Sequence, residues 1–419
     1  MRIHVEGRQA LNGNWRPSGN PNAGLALLAA SLLGEQPVVL HNMPRTASTL
    51  QQIELASWLG ADIQFDQRST LRVETRQLSR RTLGQDVLDH AGAILMIAPL
   101  LLRCRHIRLE IETPRSRLLT HLDALRDLGQ DVLFLHGAVE IRAVTWRKRE
   151  ILLGSASVTA TGIVLMLAAT LGQETIIHNA ASEPHVQELC RLLEAMGARV
   201  NGQGSNLLQV TGCSNPVGAE TNIGPNHIEV ASIAAIAALC GGRVTLRESR
   251  ERDLRMVARV FDQFGIHLEL EADTVFVPRH KQLTVRDRAG DVDLRVESAI
   301  WPGFPSDLIA IATVIASQAR GTTLIHEKLF PNRLLFVDRL KAMGAQIVLC
   351  DPHRAIVVGP APLYGSYMAT PDIRAGLGML AAALVADGHS TIDNAQAIEH
   401  HFGAVIGNLK ELGAKIMVE

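Results

Sequence analysis

No Cys-x-x-Cys pair occurs in this chain, and its five cysteines, Cys104, Cys190, Cys213, Cys240 and Cys350, lie far apart. Such scatter argues against a disulfide framework and against a cysteine zinc site, so no metal is expected. Neither sign of charge dominates, with 41 Lys and Arg against 42 Asp and Glu. A nucleic-acid partner is therefore not expected, and the short basic run Arg147–Glu150 reads as a solvated loop. The longest apolar run, AILMIAPLLL near residue 95, ends at Arg103 and is too short to span a bilayer, so no membrane partner is expected. The opening MRIHVEGRQ has no hydrophobic segment of the secretory type. A soluble, cytoplasmic protein is the expectation, and nothing calls for a cofactor.

What is present is a chain of ordinary globular balance, 47% apolar and 20% charged over 419 residues. That length exceeds one ordinary core, so two domains are expected. Internal repetition is the strongest signal. One phrase, an amphipathic helix end followed by a glycine and a short strand, recurs six times: ASWLGADIQF, LRDLGQDVLF, LEAMGARVNG, FDQFGIHLEL, LKAMGAQIVL and LKELGAKIMV. Its glycines, Gly60, Gly129, Gly197, Gly265, Gly344 and Gly413, are separated by 69, 68, 68, 79 and 69 residues. Glycine suits a helix C-terminus because it enters the left-handed region without a Cβ clash.

A second phrase alternates with the first. It is a wholly apolar helix, a small-residue break and a β-branched strand, as in GLALLAASLLGEQPVVLHN and TGIVLMLAATLGQETIIHN. The copy at Ala91–Leu109 completes a set of six. A helix apolar on all faces must be enclosed, and no single unit of this size can enclose one. Units therefore share cores, with apolar helices inside and sheets outside. Three and three is the simplest division, with the break in Thr221–His227, where Asn, Gly and Pro cluster. The expected domains are residues 20–226, and 1–19 together with 227–419. The strand RIHVEG is expected to complete the C-terminal domain, whose sixth unit lacks a strand of its own. The turn SGNPNA before the first apolar helix places Asn22 as its N-cap.

Six such units, together with SGNPNA, NAASEPHV, FPSDL, LFPNR and ATPDIRAG, resemble the enolpyruvyl transferases. The likeness is nearer to the peptidoglycan branch, which acts on UDP-N-acetylglucosamine, than to the shikimate branch, and it covers essentially the whole chain. It implies two inside-out α/β prism domains, each of three βαβαββ-type repeats, and an active site in the cleft between them.

Residue by residue, the resemblance makes Asp307 of FPSD the acceptor of the substrate hydroxyl proton and Arg333 of PNR the group that orients that substrate. Asn22 and Glu183 match polar residues of the cleft, and Asp372 and Arg374 a pair near the donor. His121, Ser157 and Thr159 fall in segments that contact the nucleotide. Read without the family, Asp307 could instead cap the helix expected from Leu308, and Glu183 could be a turn residue. Arg333 and Arg374 would be surface or ion-pair residues.

Departures concentrate on the donor side. Pro21 stands where the family has Lys, and Ala91, His227 and His400 where it has Arg. The loop aligned with IETPRSRLL is short and has no Cys. Compensating cations are available in Arg115 and Arg117, assigned here to the catalytic set, in Arg103 and Arg105, and in His400 when protonated. The expectation is a carboxyvinyl transferase acting on a hydroxyl of a nucleotide, nucleotide sugar or other cyclic acceptor, with phosphoenolpyruvate as donor, in a pathway-specific role. The rival is a family member that has left phosphoenolpyruvate chemistry, either for another reaction on a related ligand or for ligand binding alone.

If His400 supplies the missing cation, affinity for phosphoenolpyruvate is higher under acidic conditions, where histidine carries a proton. Calorimetry at pH 6 and pH 8 with an acceptor present checks this. Equally tight binding at both would remove His400 from the donor site.

Overall fold

The computed structural model describes residues 1–112, 116–286, 294–369 and 375–419. Apolar helices and short strands alternate along them, as the repeats require. The chain divides into two units, Gly19–Gly224 and a second built from Met1–Ser18 and Pro225–Glu419. The described residues form six four-stranded sheets, three in each unit, and all six share one topology. An outer strand runs parallel to a second strand, which pairs antiparallel with a third, which pairs antiparallel with the last. In Gly19–Gly224 the sheet Trp146–Leu152, Gly172–His178, Leu207–Thr211 and Arg199–Asn201 illustrates the pattern. In the other unit Leu294–Glu297, Gly321–His326, Arg354–Gly359 and Gln346–Asp351 repeat it.

At four of the apolar helices the strand before the helix pairs parallel with the strand after it. At Pro21–Ser31 and His227–Leu239 the partners are exchanged, Asn12–Trp15 pairing with Arg243–Arg247 and Ala219–Asn222 with Val38–His41. Strand alternation supplies the sheet's half of the packing. In Ile3–Glu6, Ile3 and Val5 are fully buried while His4 and Glu6 face outward. That strand pairs with His389–Asp393 and Lys415–Val418, completing the sheet of the sixth repeat.

Each unit encloses three apolar helices, every one touching the other two. In Gly19–Gly224 these are Pro21–Ser31, Ile97–Cys104 and Val158–Ala168. In the second unit they are His227–Leu239, Ile309–Gln318 and Gly376–Val385. Leu28, Val164, Ile233, Val314 and Leu380 are each fully buried. Each such side chain contributes on the order of 1.5–3 kcal/mol by leaving water. Amphipathic helices pack beside the apolar ones, as Glu251–Asp262 does against His227–Leu239. In Glu251–Asp262, Leu254, Val257, Val260 and Phe261 face inward.

The copy near residue 95 is interrupted. It begins as a 3-10 turn, Ala93–Met96, and becomes α-helical only at Ile97. Pro99 explains the break, because a residue without an N–H fits only the first turn of an α-helix. All six repeat glycines are left-handed, from φ 81° at Gly265 to 117° at Gly60. Gly60 ends the helix Ala47–Leu59, its N–H reaching the carbonyls of Ala56 and Ser57.

The opening turn departs from expectation. The N-cap of the first apolar helix is Asn20, whose Oδ1 accepts from the N–H of Asn22 (2.9 Å) and of Ala23 (3.2 Å). Pro21 causes the shift. Its fixed φ and missing N–H place it at the first helical position, so the residue before it caps. Asn22 is the second helical residue and its side chain is exposed. In the other unit Asn226 plays the same part, accepting from Ile228 and Glu229.

Asn20→Ala is expected to lower unfolding stability by about 1 kcal/mol, whereas Asn22→Ala leaves it within about 0.5 kcal/mol. Urea unfolding of the two variants checks the assignment, and a larger loss at position 22 would reverse it.

Candidate active site

Two groups of the expected residues are locally organised, one in each unit. In the second unit, the chain enters the helix Ile309–Gln318 through a 3-10 turn, Ser306–Leu308. Asp307 does not occupy the N-cap position of either element, which falls on Pro305 and on Leu308. Its Oδ1 accepts from Arg333 Nη1 at 2.9 Å, and the same nitrogen donates to Ser306 Oγ at 2.6 Å. The Arg333 side chain is 12% exposed and that of Asp307 32%, so the carboxylate keeps an open side while its partner is largely sheltered. The Arg333 guanidinium also lies 4.1 Å from the ring centre of Phe330, a stacking that limits its rotation.

His227, the first residue of its helix, is buried and meets Trp301 edge to face at 5.5 Å. Burial lowers its pKa to about 4, against an opposing pull from the Asp307 carboxylate. His227 is thus an uncharged imidazole at neutral pH. It occupies the position where the resemblance leads one to expect Arg, and it brings no cation there.

In Gly19–Gly224, His121 on Ser116–Asp127 is held to Thr159 by a 2.7 Å hydrogen bond between Nε2 and Oγ1. Ser157 is the N-cap of Val158–Ala168, its Oγ accepting from the Ala160 N–H at 3.3 Å. Thr161, one turn further on, accepts from the Ala181 N–H, which ties this helix start to the segment leading to Glu183. Glu183 stands in the N-cap position of Pro184–Ala195 but makes no capping bond. Its Oε2 is buried and accepts no hydrogen bond among the described residues. Burial raises the Glu183 pKa above the usual carboxylate range.

Other expected residues are less organised. His400 is exposed on the short helix Gln396–Phe402. Arg103 spends its guanidinium on the carbonyls of Gly34, Thr75 and Arg76, so it is not available to compensate on the donor side. Arg105 is exposed and reaches the Ala143 carbonyl. Arg115, Asp372 and Arg374 lie outside the described residues, as does the side chain of Arg117. Among the described residues no cluster of His, Cys, Asp or Glu has the arrangement of a metal site, and no helix is long and apolar enough to cross a membrane.

Sequence reasoning passed over Ser306, the His227–Trp301 contact and Glu327. Ser306 lay inside a quoted motif. Glu327 had a usable signal, because it continues the inward phase of Thr323 and Ile325, where a charged residue needs an explanation.

Comparison with known proteins adds three findings. The family model described as EPSP synthase (3-phosphoshikimate 1-carboxyvinyltransferase) matches residues 5–409. The UDP-N-acetylglucosamine 1-carboxyvinyltransferase of Bradyrhizobium diazoefficiens is 40% identical over 417 residues, covering 98% of this chain and 96% of that protein. The protein of the same name from Treponema denticola is 38% identical over 419 residues, covering 98% of each. Among solved structures, the enolpyruvyl transferase NikO from Streptomyces tendae superposes with a TM-score of 0.87 at 21% identity, over 99% of this chain and 98% of that one. EPSP synthase from Acinetobacter baumannii superposes with a TM-score of 0.77 at 16% identity, over the whole of both chains. These structural likenesses speak for the fold.

A buried, uncharged His227 has a stability signature. Its folded pKa of about 4 lies below the unfolded value near 6.5, so the unfolded chain binds the proton more readily between those limits. Stability should therefore fall as pH drops from about 6.5 toward 4, and His227→Gln should lose less over that interval. Urea midpoints at pH 7 and pH 4.5 test this; parallel losses would show that His227 protonates without cost.

Proposed function

The chain belongs to the EPSP synthase family of enolpyruvyl transferases, and from that premise we propose that it moves a carboxyvinyl group onto a hydroxyl of a nucleotide, a nucleotide sugar or another cyclic acceptor. Phosphoenolpyruvate is the donor. The acceptor oxygen gains the carboxyvinyl group, inorganic phosphate leaves, and the hydroxyl proton passes to Asp307. The relatives named for UDP-N-acetylglucosamine make a nucleotide sugar the first acceptor to try. The altered donor side favours a pathway-specific paralogue over the general cell-wall role.

The observation that supports this reading most directly is the Arg333–Asp307 pair. An aspartate at the start of a buried helix, open on one side and held at 2.9 Å by a sheltered guanidinium, is placed to take a proton from a bound hydroxyl. A positioned general base of this kind contributes roughly 10²–10⁴ in rate. In this proposal Arg333 orients the acceptor, with Asn22 and Glu183 contributing further polar contacts. His121, Ser157 and Thr159 lie on the nucleotide side. Arg115, Arg117, Asp372, Arg374 and His400 serve the donor.

A second reading, in which phosphoenolpyruvate is no longer used, has its own support. Pro21 carries no charge and no N–H, Ala91 is apolar, His227 is buried and uncharged, and Arg103 is committed to carbonyls. A charge-assisted hydrogen bond contributes roughly 1.5–3 kcal/mol, so losing two would weaken donor binding by roughly two to four orders of magnitude. Arg115 and Arg117 are the natural candidates to restore it.

Phosphate release from phosphoenolpyruvate is the assay, run with UDP-N-acetylglucosamine and with simple nucleotides as acceptors. Asp307→Asn is expected to reduce turnover by about 100-fold or more while moving the melting point by no more than about 2 °C, because Asp307 occupies neither N-cap position. Full activity in the Asn variant would end its assignment as base. Absence of turnover by the unaltered protein with every acceptor would favour the second reading.

A further inference from the structure

Behind the Arg333–Asp307 pair lies a carboxylate with no exposed surface. Glu327 follows the strand Gly321–His326 and points inward, 0% exposed. Its Oε1 accepts from Ser298 Oγ at 2.8 Å and from the backbone N–H groups of Leu329 and Phe330 at 2.8 and 3.0 Å. Its Oε2 accepts from Ser306 Oγ at 2.5 Å. One side chain thus ties together the turn that carries Asp307 and the loop that carries Phe330 and Arg333.

We infer that Glu327 is the positioning residue for the Arg333–Asp307 pair, acting through Ser306. The reasoning is one of proton count. A serine hydroxyl has a single hydrogen to donate. Ser306 gives it to Glu327, which leaves only lone pairs facing Arg333, so the guanidinium must be the donor in the 2.6 Å contact between them. The direction runs from Arg333 to Ser306 to Glu327, and it brings the same Nη1 within 2.9 Å of Asp307. Glu327 also accepts from the N–H groups at the start of the loop in which Phe330 stacks on the Arg333 guanidinium. Its carboxylate therefore fixes Arg333 by two routes, through the hydroxyl and through the loop.

Glutamine at 327 has nearly the same shape and reverses the polarity at one point. The two backbone donors and Ser298 require an oxygen on their side, so the amide nitrogen faces Ser306 and donates to it. The hydroxyl hydrogen then points toward Arg333, which has no acceptor, and the guanidinium is pushed away from Asp307. Ser306→Ala cuts the relay with less disturbance, and Ser306→Thr keeps the hydroxyl.

This inference rests on the proposed reaction, and its test separates the two. With phosphoenolpyruvate and UDP-N-acetylglucosamine, Glu327→Gln and Ser306→Ala should each lower kcat/KM by about 100-fold, the scale of an ångström-sized misplacement, and Ser306→Thr should restore most of it. In an Arg333→Ala background, Glu327→Gln should cost nothing further, because residues acting through one another are not additive. Additive losses would make Glu327 merely structural and overturn the inference. If the unaltered protein turns over no such pair, the proposed reaction fails, and a crystal structure of Glu327→Gln decides the positioning role instead. Separation of Arg333 from Asp307 beyond hydrogen-bonding reach supports it, and retention of the 2.9 Å contact overturns it.

Discussion

A helix without a polar face has to be covered on every side, and the described residues contain five of them together with Ile97–Cys104, enclosed as far as Leu101. Their walls are sheets and amphipathic helices, and no single repeat supplies enough of either. In each unit three apolar helices touch one another, and three sheets enclose them. At four of the helices the local device is a parallel β-helix-β step. At Pro21–Ser31 and His227–Leu239, where the chain passes between the units, the parallel partner comes from the other crossing. The antiparallel hairpin that follows widens the cover to four strands.

Enclosure concentrates the demand for polar partners where the helices begin. The first-turn N–H groups of a buried helix need acceptors, and the chain meets this need with asparagine at two equivalent points, Asn20 and Asn226. Buried carboxylates then secure the segments that lead to these starts. Glu229 accepts from Trp15 Nε1 and from the N–H and Oγ of Ser18, and burial raises its pKa to about 7. Glu188 accepts from the Gly224 N–H, and Glu327 holds Ser306. Each works within its own unit and faces mainly donors. Asp307, at the start of another enclosed helix, is the exception. Its side chain is 32% exposed and meets the largely sheltered Arg333.

On the reading proposed above, the two halves of a carboxyvinyl transfer have fared differently in this chain. The acceptor half keeps an aspartate and an arginine in direct contact, with a hydroxyl and a buried carboxylate behind them. On the donor half, four positions that carry cations in the family pattern hold a proline, an alanine, a buried neutral histidine and the exposed His400.

Architecture was legible in the chain because glycine spacing and wholly apolar helices are local and repeated. Gly60 and its five counterparts stand at left-handed helix ends, and Ile3–Glu6 completes the last sheet. The identity of Asp307 and Arg333 as candidates was legible as well, through short motifs. Other features depended on neighbours distant in sequence. Pro21 moved the cap from Asn22 to Asn20, a choice made by backbone geometry at the helix start. That Arg103 is consumed by carbonyls of remote turns and that His227 is uncharged follow from contacts spanning tens of residues. Glu327 reads in the chain as one more charge after a strand. Only the packed structure places it between Ser298, Ser306 and the Phe330 loop, because hydrogen-bond direction is settled by which donors meet in space. The sequence by itself determined the repeats and the enclosed helices, and tertiary structure decided which polar groups remain free to act.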